Sequence, residues 1–185
     1  MAYDFTRLKF LIVEDNRYMR SIFRELLGAF GLRSDNICDC ADGSEALTIL
    51  ASFQADIAIV DYLMTPMDGI AFTRHVRTDE DSPNKYLPII LCTGFTEHDR
   101  VVEARDAGVN EVLAKPVDAT TLYNRIVSLV EHPRPFTKQP DFFGPDRRRR
   151  FDDEFEPKRE EDSGERPEAP VDLPIDAGPE PPPGA

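Results

Sequence analysis

Five polar residues each stand just after a short apolar run: Glu14, Asp15, Asp61, Thr93 and Lys115. Three acids can hold a divalent cation and accept a phosphoryl group, while a hydroxyl and an ammonium can offset charge on the oxygens of that group. A carboxylate attacking phosphorus approaches a group of its own sign, so a hard cation on oxygen ligands is needed to lower the repulsion. Glu14, Asp15 and Asp61 supply such oxygens, Lys115 is a flexible point charge, and the Thr93 hydroxyl is a donor. Each has a plain explanation when taken alone. Glu14-Asp15-Asn16 can open a helix, Thr93-Gly94 can start a loop, and Lys115 before Pro116 can be a solvated charge. Several coincidences would have to hold together to produce the whole pattern, and that favours a site.

The elements that must position these residues are legible in the apolar runs. Leu8 to Val13, Ile57 to Val60, Leu87 to Cys92 and Glu111 to Ala114 read as buried parallel strands, and open α/β sheets bind ligands at the carboxyl ends of their strands. Met19, Ile22, Phe23, Leu26, Leu27 and Phe30 recur at three and four, which predicts a helix from about Asn16 to a stop at Gly31. Asp42 with Glu45 is a capping pair for a second helix, and Asp68 and Asp118 are caps for a third and a last. A fourth runs from about Glu97 to Ala107 and ends at Gly108, and in the last Leu122, Ile126, Leu129 and Val130 share a face. Strands alternating with helices through short links predict a parallel sheet covered on both sides.

Composition bounds the rest. The 185 residues, 41% hydrophobic and 31% charged, suffice for one ordinary domain with a real core. No apolar stretch approaches the roughly 20 residues that span a bilayer, and Met1 to Lys9 lacks the apolar region of a signal peptide, so the expected location is cytoplasmic and away from membranes. Cys38, Cys40 and Cys92 are odd in number without zinc-type spacing and read as reduced structural thiols. His75, His98 and His132 are scattered and read as surface residues. A net charge of -13 argues against nucleic acid as a partner.

The chain divides near His132. Eleven of the 16 prolines follow Pro133, and aliphatic residues almost vanish beyond Phe155. Residues 1–133 are expected to form the domain, 134–155 a linker, and 156–185 an acidic, proline-rich tail too poor in apolar surface to fold. Within the linker, Asp141-Phe142-Phe143-Gly144-Pro145-Asp146 runs into Arg147-Arg148-Arg149-Arg150-Phe151. It reads either as a solvated spacer with a charge run or as a short linear motif anchored by aromatics and arginine.

Val13-Glu14-Asp15, Val60-Asp61 with Met67-Asp68-Gly69, Cys92-Thr93-Gly94 and Ala114-Lys115-Pro116 together make the chain resemble the receiver domain of bacterial two-component response regulators, over residues 8 to about 131. The resemblance implies an α/β, flavodoxin-like (βα)5 fold with strand order 2-1-3-4-5, an order for which a receiver is a standing example. It implies phosphoryl acceptance at Asp61 from a sensor histidine kinase or histidine phosphotransfer protein, with Thr93 and Lys115 assisting. It further implies Mg²⁺ on Glu14, Asp15, Asp61 and the backbone carbonyl of Leu63, and a cis Lys115-Pro116 bond, which proline makes accessible. Output would be binding to a downstream protein, and the domain would be a phosphoacceptor, not an enzyme.

Some positions depart from the usual receiver pattern. Val112 stands three before Lys115, where many receivers carry the aromatic that turns inward with the threonine. Thr65-Pro66 places its proline one position later than usual, a change of loop shape. Leu63 and Phe95 are apolar where receivers often carry polar residues near the attacking water. A haloacid-dehalogenase-type phosphatase wants a second aspartate two after its nucleophile, and position 63 is leucine. The stronger rival is an adaptor that keeps the receiver fold and tail as a docking surface independent of phosphorylation.

Overall fold

The computed structural model describes residues 3–94, 98–139 and 142–147. Expectations about Phe95, about Asp141 and Arg148 to Phe151 of the tail motif, and about 156–185 lie outside the described residues.

Five strands alternate with five helices: β1 (Phe10–Val13), α1 (Arg17–Ala29), β2 (Ile37–Cys40), α2 (Gly43–Leu50), β3 (Ile57–Asp61), α3 (Gly69–Thr78), β4 (Ile89–Thr93), α4 (His98–Ala107), β5 (Glu111–Ala114) and α5 (Ala119–Glu131). All strand pairs are parallel and the order is β2-β1-β3-β4-β5, the flavodoxin-like order that the resemblance implies. Because side chains alternate across a strand, one sheet feeds two cores. Leu11, Val13, Ala58, Val60, Ile89 and Leu91 pack with Ala46, Leu50, Ile70, Phe72, Val76 and Ala104, which come from α2, α3 and α4. Phe10, Ile12, Ile57, Ile59, Ile90 and Cys92 pack on the other face against Phe23 and Leu27 of α1 and Leu122, Ile126 and Leu129 of α5. Each large side chain buried this way contributes roughly 1.5–3 kcal/mol.

The helix starts follow from their caps. Asn16 Oδ1 accepts from the amides of Tyr18 and Met19, and Asp42 Oδ1 from those of Ser44 and Glu45. Asp68 Oδ1 accepts from Ala71 N–H, and Asp118 Oδ1 from Thr121 N–H. Such a cap is worth about 1 kcal/mol. Two strand ends shift from the sequence expectation, and both shifts concern the site. Asp61 and Thr93 are the last residues of β3 and β4, not the first residues beyond them. Their backbones are therefore fixed by the sheet, Asp61 opposite Cys92 and Thr93 opposite Ala114.

The chain does not end its structure at α5. An antiparallel ribbon, β6 (Phe136–Gln139) paired with β7 (Phe142–Pro145), occupies the stretch for which the sequence offered a linker and motif. It belongs to the same compact unit as the sheet and packs through β7 on α3 and α4. The seat is made by Gly108, which ends α4 with φ +95°, a conformation that favours glycine. A Cβ on Gly144 of β7 would lie 2.9 Å from the Gly108 Cα, so the two backbones touch without side chains between them. Tyr86, Phe136 and Phe143 stack about this seat with ring centroids 5.0 to 5.5 Å apart. Phe142 is buried, with the Arg147 guanidinium 3.8 Å from its ring centre and Arg147 Nη1 3.2 Å from Asp106 Oδ1.

Candidate functional site

At the carboxyl ends of β3, β4 and β5 a shallow pocket is lined by Asp61, Tyr62, Leu63, Thr93, Gly94 and Lys115. Lys115 Nζ lies 2.8 Å from Glu14 Oε2 and 2.8 Å from Asp61 Oδ1, so residues from three parts of the chain meet at one ammonium. Glu14 and Asp61 are buried, whereas Asp15 beside them is exposed. Thr93 is buried at the β4 end, and its carbonyl accepts from the Lys115 amide at 2.8 Å. The Lys115-Pro116 peptide is cis, as is Thr65-Pro66.

Burial sets the electrostatics. Desolvation pushes the Glu14 carboxyl above its ordinary range, helped by the Asp61 charge and opposed by Lys115. Asp61 is likewise pushed up by burial, which outweighs its hydrogen bond to Lys115. For Lys115 burial acts downward, yet its bonds to Asp61 and Glu14 outweigh that and the ammonium is held more firmly protonated than on a surface. Two carboxylates are thus kept in a place where charge is costly, next to a cation that partly compensates. An added cation would meet acids that gain by binding it.

The donor set fits a hard divalent cation. One carboxylate oxygen each from Glu14, Asp15 and Asp61 can be chosen so that all lie within 4.8 Å of one another, and oxygen ligands of this kind suit Mg²⁺. The turn that follows Asp61 is built for close approach. Gly69 N–H donates to the Tyr62 carbonyl at 3.1 Å, and a Cβ on Gly69 would fall 2.2 Å from the Asp61 carbonyl oxygen. Any side chain at position 69 would push β3 and the start of α3 apart, which explains the Asp68-Gly69 pair in physical terms. Leu63 projects outward from the same turn, 53% exposed at the mouth of the pocket.

Sequence reasoning placed Glu14, Asp15, Asp61, Thr93 and Lys115 in one site, and the fold brings all five to one end of the sheet. It missed Tyr62, whose hydroxyl donates to Glu103 Oε2 at 2.6 Å and accepts from Arg100 Nη1 at 2.8 Å, tying the residue after Asp61 to α4. Only an aromatic after the aspartate could have hinted at it. Arg20 was missed too, hidden in the polar face of α1. Val112, in place of the aromatic of many receivers, packs half-buried against the core beneath α2, α3 and α4.

Residues 10–127 match the family model of the response regulator receiver domain, and the chain belongs to that family. Among its relatives, the chemotaxis protein CheY of Pseudomonas aeruginosa is 37% identical over 124 residues, 67% of this chain and 97% of the relative. Chemotaxis protein CheY-3 of Vibrio cholerae is 34% identical over the same length, covering 67% and 92%. A solved structure of V. cholerae chemotaxis protein CheY4 superposes with TM-score 0.59 at 29% identity, over 64% of this chain and 95% of that one. The receiver domain of a sensor histidine kinase of P. aeruginosa, solved with a magnesium ion coordinated in its active-site cleft, gives TM-score 0.56 at 28% identity, over 65% and 94%. Among the described residues no helix is long and apolar enough to cross a membrane.

Proposed function

We propose that this chain is a cytoplasmic response regulator that accepts a phosphoryl group on Asp61 from phosphohistidine of a sensor histidine kinase or a histidine phosphotransfer protein, and signals by changed binding to another protein. The observation that carries this reading is the Lys115 ammonium set 2.8 Å from both Glu14 and Asp61 at the carboxyl edge of a receiver sheet. In the transfer, an Asp61 carboxylate oxygen bonds to phosphorus while the bond from phosphorus to the imidazole nitrogen breaks, and that nitrogen keeps the electron pair. The chain is the acceptor in this reaction rather than a turnover enzyme.

A Mg²⁺ ion on Glu14, Asp15, Asp61 and the Leu63 carbonyl would reduce the repulsion between the attacking carboxylate and the phosphoryl oxygens. The chain's own groups do the rest. Burial of Asp61 limits competing water, and the sheet holds its backbone so that little reorganisation precedes attack. Lys115 is placed to exchange an Asp61 oxygen for a phosphoryl oxygen as the negative charge moves outward, and the Thr93 hydroxyl lies in the pocket wall to donate to another.

Incubating the purified protein with Mg²⁺ and acetyl phosphate should give a base-labile acyl phosphate that maps to Asp61 by peptide analysis after borohydride trapping. No adduct under these conditions, or one at another carboxylate, would refute the reading. The adaptor alternative, in which the fold docks a partner regardless of phosphorylation, predicts target binding unaltered by the phosphodonor.

A further inference from the structure

Glu14 and Asp15 sit in a three-residue turn between β1 and α1, and a turn of that length has carbonyls that must find partners. One side chain supplies them. Arg20 Nη1 donates to the Glu14 carbonyl at 2.5 Å and to the Asp15 carbonyl at 3.2 Å. The same guanidinium is anchored from behind, with Nε 3.2 Å from Asp39 Oδ2 on β2. Asp39 is in turn fixed by Arg24, whose Nε donates to its other oxygen at 2.5 Å and whose Nη2 reaches the Ile37 carbonyl at 3.1 Å. The Glu14 amide is tied to the same strand, donating to the Cys40 carbonyl at 3.1 Å. Both ends of the Glu14 residue are thus referred to β2, one directly and one through Arg20.

We propose that Arg20 is a positioning residue for the cation site, holding the Glu14-Asp15 backbone so that both carboxylates face Asp61 before any cation arrives; this rests on the reading of that cluster as a Mg²⁺ site. The physical reason is preorganisation. Three carboxylate oxygens gathered within 4.8 Å repel one another, and the Asp15 side chain, exposed to solvent, is directed by its backbone rather than by packing. Turning the two carbonyls onto a half-buried guanidinium fixes the peptide planes and hence the directions of both side chains. Without it the acids must be gathered when the cation binds, and that ordering is subtracted from the affinity. Outer partners of metal ligands typically carry a factor of about 10 to 100 in affinity.

The test is calorimetric titration of Mg²⁺ into wild type, Arg20→Met and Asp39→Asn, each with a thermal melt in EDTA and a phosphorylation rate measured across Mg²⁺ concentration. Arg20→Met should raise the Mg²⁺ dissociation constant about tenfold and shift the half-saturating Mg²⁺ for phosphorylation by the same factor while leaving the plateau rate in place. Asp39→Asn, which loosens the anchor but keeps both carbonyl bonds, should shift it less and in the same direction. An arginine that only staples α1 to the sheet would lower the melting temperature and leave the dissociation constant unchanged, and that result overturns the proposal. Should Arg20→Met not fold, an unchanged constant in Asp39→Asn does the same. Wild type that binds no Mg²⁺ would overturn the cation-site reading and this proposal with it, whereas wild type that binds alongside an equal Arg20→Met overturns this proposal alone.

Discussion

The molecule holds a cation at each end of its sheet, Lys115 half-buried and Arg77 fully buried, and treats them in opposite ways. Lys115, at the carboxyl end, is paired with two carboxylates and opens onto a pocket. Arg77, near the amino ends of β4 and β5, is 1% exposed and spends its donors on neutral acceptors: the carbonyls of Gly108, Lys85 and Leu87 and the Asn110 amide oxygen. Burial pushes the Arg77 guanidinium down to about 9, so it is still charged at neutral pH. Its ring neighbour is Phe136 of the β6–β7 ribbon, 5.2 Å from the guanidinium carbon to the ring centre. A charge whose partners are all neutral has nothing to trade, because moving it would orphan several buried carbonyls at once. A charge shared between two acids can release one of them to a new anion at little cost. The first arrangement suits a fixed joint and the second a site of chemistry.

The sharpest way to break this contrast is at Asp61. Asp61→Asn should abolish labelling by acetyl phosphate while circular dichroism and the thermal midpoint stay near wild type, because an amide oxygen is a poor nucleophile and a weak metal ligand. Retained labelling in the variant would mean that the polar end of the sheet is not where the phosphoryl group goes. Lys115→Ala comes next in size. The three acids remain, so Mg²⁺ binding should persist, but the phosphoryl oxygens lose their cation and phosphorylation-dependent target binding should be lost. Target binding at wild-type strength by phosphorylated Lys115→Ala would make Lys115 a structural charge like Arg77.

The opposite end should respond in stability rather than in chemistry. Arg77→Met removes the donor from four acceptors, three of them backbone carbonyls near the ribbon seat. A buried acceptor left without a partner costs roughly 1–3 kcal/mol, and partial access of water reduces the sum, so a loss of about 3 kcal/mol is expected in urea unfolding. Labelling of the folded variant at Asp61 should continue at the wild-type rate. A variant as stable as wild type, or one that folds but does not label, would dissolve the distinction between the two ends.

These two ends were not equally legible in the sequence. Strand-end acids and the helix caps announce themselves locally: Asp61 closes an apolar run, and Asp42, Asp68 and Asp118 each stand at the first turn of a helix they cap. Arg77 does not. It lies in α3 among His75 and Arg74, where a basic residue near a helix C-terminus reads as solvated, and only the approach of Gly108 and Asn110 from 31 and 33 residues away buries it. The ribbon was hidden for a related reason. Phe136 and the Phe142-Phe143 pair lie in a proline-rich context after α5 that suggested a spacer, and the seat that stabilises the ribbon is contributed by α3 and α4. Tyr62 and Arg20 follow the same rule, since their roles are defined by Glu103 on another helix and by Asp39 on another strand.

The smallest expected effect lies at the rim of the pocket and sharpens the contrast by asking what an exposed apolar residue does there. Leu63 is 53% exposed beside Asp61, and its side chain offers no hydrogen bond to a water approaching the phosphorus. Hydrolysis of the acyl phosphate needs that water in line with the bond to be broken, and an apolar neighbour does not orient it. The phosphorylated form should therefore be long-lived. Leu63→Asn supplies one orienting hydrogen bond, worth about 1 kcal/mol net, so the loss of label after removal of the phosphodonor should speed up by roughly fivefold to tenfold. The substitution sits on an exposed side chain and should leave the melting temperature within about a degree or two of wild type, which separates a kinetic effect from a structural one. If Leu63→Asn holds its phosphoryl group as long as the parent, access of water past position 63 does not control the lifetime, and the control must be sought deeper, where Thr93 and Lys115 close on the phosphoryl oxygens.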